Sequence, residues 1–236
     1  MTHNRKEVYG FIFARGGSKG LKNKNLKKLS GKSLLGWSID HAKSVSKINR
    51  IIISTDSEKI AAEAKKYGAE ILFKRPKYLS SDKSPEWLAW QHALNFLKKT
   101  ENKIPEIMVS IPPTAPLRNS KDIERCINKL IKNDIDIAIT VSDSFRNPWF
   151  NMVRKNNKNL SELINKPNKK VFRRQDAPKT YDMTTVAYAA YSKFVLENDS
   201  IFSGKVGQIE IPKHRAIDID DIIDFKIAEA LLKIKR

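Results

Sequence analysis

Two stretches of this sequence carry residue types that could handle anions and metal. The first is Ala14-Arg15-Gly16-Gly17-Ser18-Lys19-Gly20, followed by Leu21-Lys22-Asn23-Lys24-Asn25. Glycines let a backbone approach a ligand closely, and successive N–H groups can cradle an anion. Arg15, Lys19, Lys22 and Lys24 add cations, so phosphate binding is favoured over an ordinary turn with solvated lysines. Two familiar phosphate motifs are excluded. A dinucleotide fingerprint ending at Gly20 needs glycine where Arg15 stands, and a Walker-type loop ending in Gly31-Lys32-Ser33 needs glycine where Leu26 stands. The second stretch is Asp218-Ile219-Asp220. In an extended segment, i and i+2 share one face. Paired carboxylates of this kind suit a hard cation such as Mg²⁺. Helix capping is the alternative, needs only one such Asp, and is preferred on the residues alone.

The elements that would position these groups alternate between two periods. Val8–Phe13, Arg50–Ser54, Glu70–Phe73, Ile107–Ile111 and Ile135–Val141 are short apolar runs. Between them, Leu34–Ser46, Glu58–Tyr67, Glu86–Lys98 and Lys121–Asn133 show helical spacing. Strands that are apolar throughout, alternating with helices, predict an α/β fold of Rossmann-like type: a mostly parallel sheet covered by helices on both faces. The glycine-rich loop then follows the first strand, where open α/β sheets bind ligands. The pattern breaks between Asp143 and Asp182, a stretch rich in Asn, Lys, Arg and Pro. A long irregular insertion in a compact domain is usually functional or disordered. Val186–Tyr191 and Val206–Ile211 read as further strands, and Asp221–Ile234 as a closing helix capped by Asp220 or Asp221. No repeat or flexible linker interrupts residues 1–236, which read as one domain.

Composition narrows the class. Hydrophobic residues make up 40% and charged residues 30%, as in a globular protein. No apolar run reaches the roughly 20 residues a membrane helix needs, and the polar N-terminus lacks a signal peptide's apolar stretch. Cys126 is the lone cysteine, which fits a cytoplasmic location and excludes an intrachain disulfide. The net charge of +19 comes from 33 Lys and 12 Arg spread along the whole chain. Nucleic-acid modules concentrate such charge and interleave aromatics, so a Lys-rich solvated surface is preferred and no nucleic-acid partner is expected.

The loop Ala14–Gly20 with Lys24-Asn25 resembles the signature loop of the acylneuraminate (CMP-sialic acid) cytidylyltransferases. The resemblance continues in order through Ser54-Thr55-Asp56, Lys74-Arg75-Pro76, Ser81-Asp82, Pro113-Thr114-Ala115-Pro116-Leu117-Arg118, Arg174-Gln175 and Asp218-Ile219-Asp220. It spans roughly Val8 to Leu232, and several ordered motifs are more specific than any one alone. The resemblance implies transfer of CMP from CTP to an acidic nine-carbon sugar, in a homodimer. It implies that Arg15 and Lys24 lie at the phosphates, that Ala14, Gly16, Gly17, Ser18 and Asn25 hold the nucleotide, and that Asp218 acts in catalysis; Arg75 is a further nucleotide-side candidate, with a surface cation before Pro76 as the equal alternative. It reverses the preference at Asp218 and Asp220 toward a Mg²⁺ site. Arg174, Gln175, Thr184 and Tyr188 become substrate-binding candidates, with Arg174 reaching the sugar carboxylate in the partner's site through the insertion 143–182.

Two segments depart from the sialic-acid pattern. Pro112 stands where the family's Leu-Gln-Pro carries glutamine, and Tyr181-Asp182-Met183-Thr184-Thr185-Val186-Ala187-Tyr188 replaces Phe-Arg-Pro-Asn-Gly-Ala-Ile-Tyr. The run Arg174–Met183 looks more like the branch that activates legionaminic acid, a bacterial relative of sialic acid. The remaining chemistry-bearing residues receive plain readings. His41, His92, Trp87 and Trp90 are packed or solvated helix residues, Cys126 is not a nucleophile, and Asp56 is a helix cap.

Overall fold

The computed structural model describes residues 6–18, 20–166 and 169–234. In chain order the strands are β1 (Val8–Phe13), β2 (Lys28–Leu29), β3 (Lys32–Ser33), β4 (Arg50–Ser54), β5 (Ile107–Ser110), β6 (Ile137–Asp143), β7 (Val153–Lys155), β8 (Ser161–Leu163), β9 (Tyr181–Tyr191) and β10 (Val206–Glu210). The helices are α1 (Leu34–Lys43), α2 (Glu58–Lys66), α3 (Glu86–Glu101), α4 (Ser120–Lys132), α5 (Ser192–Glu197) and α6 (Ile222–Ile234). The main sheet runs β10-β6-β9-β5-β1-β4, and two small two-stranded sheets are β2-β3 and β7-β8. β1 is parallel to β4 and β5, β10 is parallel to β6, and β9 runs antiparallel between β5 and β6.

The central strands β1, β4 and β5 are buried almost throughout because both faces are covered. Along β1, Val8 and Ile12 pack with Leu35, Ile60 and Ile127 from α1, α2 and α4. Tyr9 and Phe11 pack on the other face with Trp90, Leu94 and Val195 from α3 and α5. Alternate residues of a strand point to opposite faces, so one short run feeds two cores. A third, smaller cluster joins Leu21, Leu34, Leu117, Ile219 and Phe225. It holds the segment after the glycine-rich loop, the start of α1, the approach to α4 and the approach to α6 together. Among the described residues no helix is long and apolar enough to cross a membrane.

Several boundaries differ from the sequence reading. Glu70–Phe73 is not a strand; it meets β4's edge only through single parallel bridges, Ile52 with Glu70 and Thr55 with Lys74. Ile71 packs on one core and Phe73 on the other, so side-chain burial keeps the segment extended without a continuous ladder. β9 begins at Tyr181, inside the predicted insertion, because its first residues pair with the protruding end of β6 from Val141 to Asp143. Asp182 and Met183 there are exposed, so no apolar run announces the pairing. Residues 217–220 belong to no strand and are tied to the loop after β5 by a backbone bond from Ile219 N–H to the Thr114 carbonyl at 2.8 Å.

Candidate active site

The loop after β1 is held at several points. Ala14 N–H continues the sheet by donating to the Ser54 carbonyl at 3.0 Å. Gly16 N–H donates to Asp56 Oδ1 at 2.9 Å. Asp56 therefore pins the loop and does not cap α2, contrary to the sequence reading; the cap is Ser57, whose Oγ accepts from Ile60 N–H. Buried Asn25 donates from Nδ2 to the Arg15 carbonyl at 3.0 Å and ties the two ends of the loop together. One glycine of the loop is explained by space. A Cβ on Gly20 would lie 2.4 Å from the Asp220 carbonyl oxygen, so only glycine lets the loop close on the acidic segment. A Cβ on Gly17 would meet nothing within 4 Å, and the backbone there is open to a ligand. Lys19 lies outside the described residues.

The acidic segment faces this loop. Lys24 Nζ donates to Asp220 Oδ1 at 3.0 Å. Capping of α6 falls to Asp221, whose Oδ1 accepts from Ile223 N–H at 2.7 Å and Asp224 N–H at 3.0 Å. Asp224 Oδ2 accepts the N–H groups of Asp220 and Asp221. Asp218 and Asp220 are thus relieved of the capping role, and Asp218 Oδ1 is buried with no hydrogen-bond partner. An orphaned carboxylate oxygen in a protein interior is costly. A hard divalent cation fits such a donor set of oxygens without nitrogen or sulfur. No cluster of three or more His, Cys, Asp or Glu side chains stands ready for a metal among the described residues. A cation here would therefore take its other ligands from a bound substrate and water.

Between the loop and the acidic segment lies a cleft of about 480 Å³, lined in part by Ser18, Lys24, Asn25, Thr114, Thr185 and Asp218. A smaller cavity of about 220 Å³ adjoins it and contains Arg75, Ser81, Asp82 and Ser84. Phe13, Arg15 and Glu86 line both. Arg15 forms an ion pair with Asp82 across this seam. Arg75 is only 6% exposed, donates to Ser54 Oγ at 3.0 Å, and lies over the Phe13 ring. Burial lowers its pKa to about 10, with Glu86 and Asp56 opposing the fall. Glu86 Oε1 accepts from Trp90 Nε1 at 2.9 Å and from Ser110 Oγ at 3.2 Å. Its recessed carboxyl end is pushed above the usual carboxylate pKa by burial, although the open cleft leaves the residue as a whole exposed.

Arg118, 2% exposed, braces the cleft from beneath. It donates to Ser38 Oγ at 2.7 Å, to the Pro112 carbonyl and to the Thr185 carbonyl at 3.4 Å. One buried guanidinium therefore joins α1, the loop after β5 and strand β9. Burial lowers its pKa to about 9, and the charges of Asp218 and Asp122 oppose that fall.

A family model described as cytidylyltransferase matches residues 9–231. The chain belongs to the cytidylyltransferase family. It is 37% identical over 229 residues to a protein of Campylobacter jejuni called CMP-N,N'-diacetyllegionaminic acid synthase, covering 97% of this chain and 96% of that one. It is 36% identical over 229 residues to the post-translational flagellin modification protein B of Campylobacter coli, with the same two coverages. Its fold is similar to the solved structure of CMP:2-keto-3-deoxy-manno-octonic acid synthetase complexed with CTP, with a TM-score of 0.72 at 14% identity over 98% of this chain and 100% of that one.

In this cytidylyltransferase the structure gathers half of the fourteen sequence-derived candidates on the walls of the two cavities, with Ala14, Gly16 and Gly17 in the adjoining loop after β1. Arg15, Ser18, Lys24, Asn25, Asp218 and Asp220 line the larger cleft, and Arg75 the adjoining cavity. Four candidates lie elsewhere. Arg174 and Gln175 line a separate cavity of about 550 Å³ with Asn147 and Lys213. Thr184 is buried and donates to Thr140 Oγ1 at 2.8 Å, across the irregularity where β6 and β9 shift register. The Tyr188 ring packs against Trp90 at 5.7 Å between centroids, and burial raises its phenol's pKa. Neither Thr184 nor Tyr188 reaches the cleft wall within its own chain; Thr185 does, with Thr114 Oγ1 donating to its Oγ1 at 3.3 Å. Sequence reasoning missed Glu86, Thr185 and the bracing role of Arg118. Arg118 ends the quoted Pro-Thr-Ala-Pro-Leu-Arg motif, so a signal existed; Glu86 looks like any helix-start glutamate.

Proposed function

We propose that this cytidylyltransferase joins CMP, taken from CTP, to a nine-carbon acidic sugar of the sialic-acid type, with a legionaminic acid as preferred acceptor. The observation that carries the reading is the convergence of the glycine-rich loop, two cations and an unpartnered carboxylate on one cleft of a chain in this family. The 37% identity to a protein named for diacetyllegionaminic acid supports the choice of sugar. A sugar hydroxyl oxygen would attack the α-phosphorus and give up its proton to water, the bond from that phosphorus to the β-phosphate oxygen would break, and pyrophosphate would leave. Both partners are anionic, so the chain must supply positive charge and in-line placement. Arg15 and Lys24, now paired with Asp82 and Asp220, are the cations a triphosphate would draw away. Asp218 and Asp220 would hold Mg²⁺, which neutralises charge on the triphosphate when bound.

The proposal includes a homodimer in which 143–182 reaches the partner subunit. Phe145, Val153, Leu160 and Phe172 in this stretch are exposed, which supports an apolar contact surface. Arg174 lies outside its own cleft, where its guanidinium would suit a sugar carboxylate of the neighbouring site. Pyrophosphate release with CTP and Mg²⁺, measured against sialic, legionaminic, pseudaminic and eight-carbon Kdo acids, tests the reading. The highest kcat/KM is expected with a legionaminic acid, and ATP and GTP should serve poorly. No turnover with any of the four sugars, or equal turnover with all nucleotides, would overturn it.

A further inference from the structure

Glu86 is the one acidic side chain, among the described residues, that lines both the larger cleft and the adjoining cavity. The larger cleft carries the phosphate-type groups: the glycine loop, Lys24 and the acid pair. The smaller cavity carries enclosed Arg75 and the hydroxyls of Ser81 and Ser84. On the proposed reading, a nucleotide laid across the two would place its triphosphate in the first and its base in the second. The ribose would then sit at the seam. A first-turn glutamate is favourable to a helix dipole at any surface position, and that alone would explain an outward-facing side chain. Here the carboxylate instead turns to the cleft floor, where Trp90 and Ser110 both donate to Oε1 and leave Oε2 for another donor.

Charge makes the position informative. A carboxyl oxygen that two donors already hold in place offers its free partner oxygen as an acceptor, and a ligand that brings a hydrogen-bond donor to that point gains there. The parts of a nucleoside triphosphate that can donate are the base's amino group and the ribose hydroxyls, and the hydroxyls are the donors between base and phosphate. We propose that Glu86 reads the sugar of the nucleotide by accepting a hydrogen bond from a ribose hydroxyl, and so selects ribonucleotides over deoxyribonucleotides. A site built to bond a hydroxyl rejects the analogue that lacks it, because its own polar group is left unpaired.

The inference rests on the proposed CTP-dependent activity, and the test separates the two. Turnover would be measured with CTP, 2′-deoxy-CTP and 3′-deoxy-CTP for the unaltered protein, Glu86→Ala and Glu86→Gln. The unaltered protein should prefer CTP over at least one deoxy analogue by about ten- to a hundred-fold in kcat/KM, the range expected of a charge-assisted hydrogen bond. In Glu86→Ala that ratio should collapse toward one, and in Glu86→Gln it should fall partway. The ratio compares two substrates on the same protein preparation, so partial misfolding cancels. If Glu86→Ala fails to fold, the glutamine variant gives the same reading. An unaltered protein that uses all three nucleotides equally, or variants that keep the full preference, would overturn the role of Glu86. An unaltered protein that turns over none of them would overturn the activity itself.

Discussion

The cleft at the glycine loop and the insertion 143–182 are built on opposite plans. In the cleft, nearly every polar group is answered from within the chain. Asp56 holds Gly16, Asn25 holds the loop's ends, Lys24 meets Asp220 and Arg118 braces three elements from below. The exceptions around it among the described residues are Asp218 Oδ1, Ser84 Oγ and Arg118 Nε, each buried without a partner, and of these the carboxylate oxygen is the donor that suits a hard cation. In the insertion the small sheet β7-β8 stands apart from the main sheet, with Phe145, Leu160 and Phe172 facing solvent. One region is a cleft whose walls are fixed by hydrogen bonds within the chain; the other has apolar surface that its own chain does not cover. The difference teaches that one chain can answer its own polar groups closely in one region and leave apolar surface uncovered in another.

The comparison can be broken at several points. The largest effect is expected at the acid pair: Asp218→Asn should lower kcat at saturating CTP by about three orders of magnitude, several kcal/mol of lost charge stabilisation. Thermal unfolding should stay near the unaltered value, since Asp221 and Asp224 carry the helix cap. EDTA should abolish activity and added Mg²⁺ restore it. If Asp218→Asn and Asp220→Asn both keep near-normal, EDTA-sensitive turnover, the metal is held elsewhere. Arg15→Ala should cost about 10²- to 10³-fold in kcat, as for removal of one preorganised charge donor. Retention of full activity would show that Asp82, not phosphate, is the permanent partner of Arg15.

Subunit mixing tests the insertion. Asp218→Asn and Arg174→Ala chains should each be nearly inactive alone. Refolded together, they should recover about a quarter of the activity, because half the dimers are mixed and each mixed dimer owns one intact site. No recovery on mixing would place Arg174 in its own chain's site or outside the chemistry. Phe172→Asp should weaken self-association in analytical ultracentrifugation, and an active monomer would remove the partner from the mechanism. The smallest effect concerns packing: Gly20→Ala should cost about 1–3 kcal/mol in chemical denaturation, because its methyl would press on the Asp220 carbonyl. An unshifted midpoint would show that loop and acidic segment part easily.

Much of this was legible in the residues. Continuous apolar runs such as Ile51-Ile52-Ile53 identify buried parallel strands, because only a strand covered on both faces needs no polar alternation. The glycine loop and the Asp218/Asp220 pair were legible as chemistry because their spacing is local. The edge segment 70–73 and the outer end of β9 were misread for the converse reason. Whether four residues pair as a ladder or only bridge depends on the neighbouring strand, which may lie forty residues away or more, as Asp182 lies from Ser142.

By itself, then, the order of residues determined the α/β class, the position of the first loop after β1 and the charged residue types that line the cleft. Local rules of periodicity and turn chemistry suffice for these. Only the tertiary structure decided which carboxylate does which work. Asp56 serves the loop, Asp221 and Asp224 serve the helix, and Asp218 serves neither. It alone placed Glu86 on the seam of two cavities, exchanged Thr184 for Thr185 on the cleft wall, and kept Tyr188 in the core. A carboxylate's role is set by which donors the fold brings within about 3 Å, and no spacing along the chain encodes that distance.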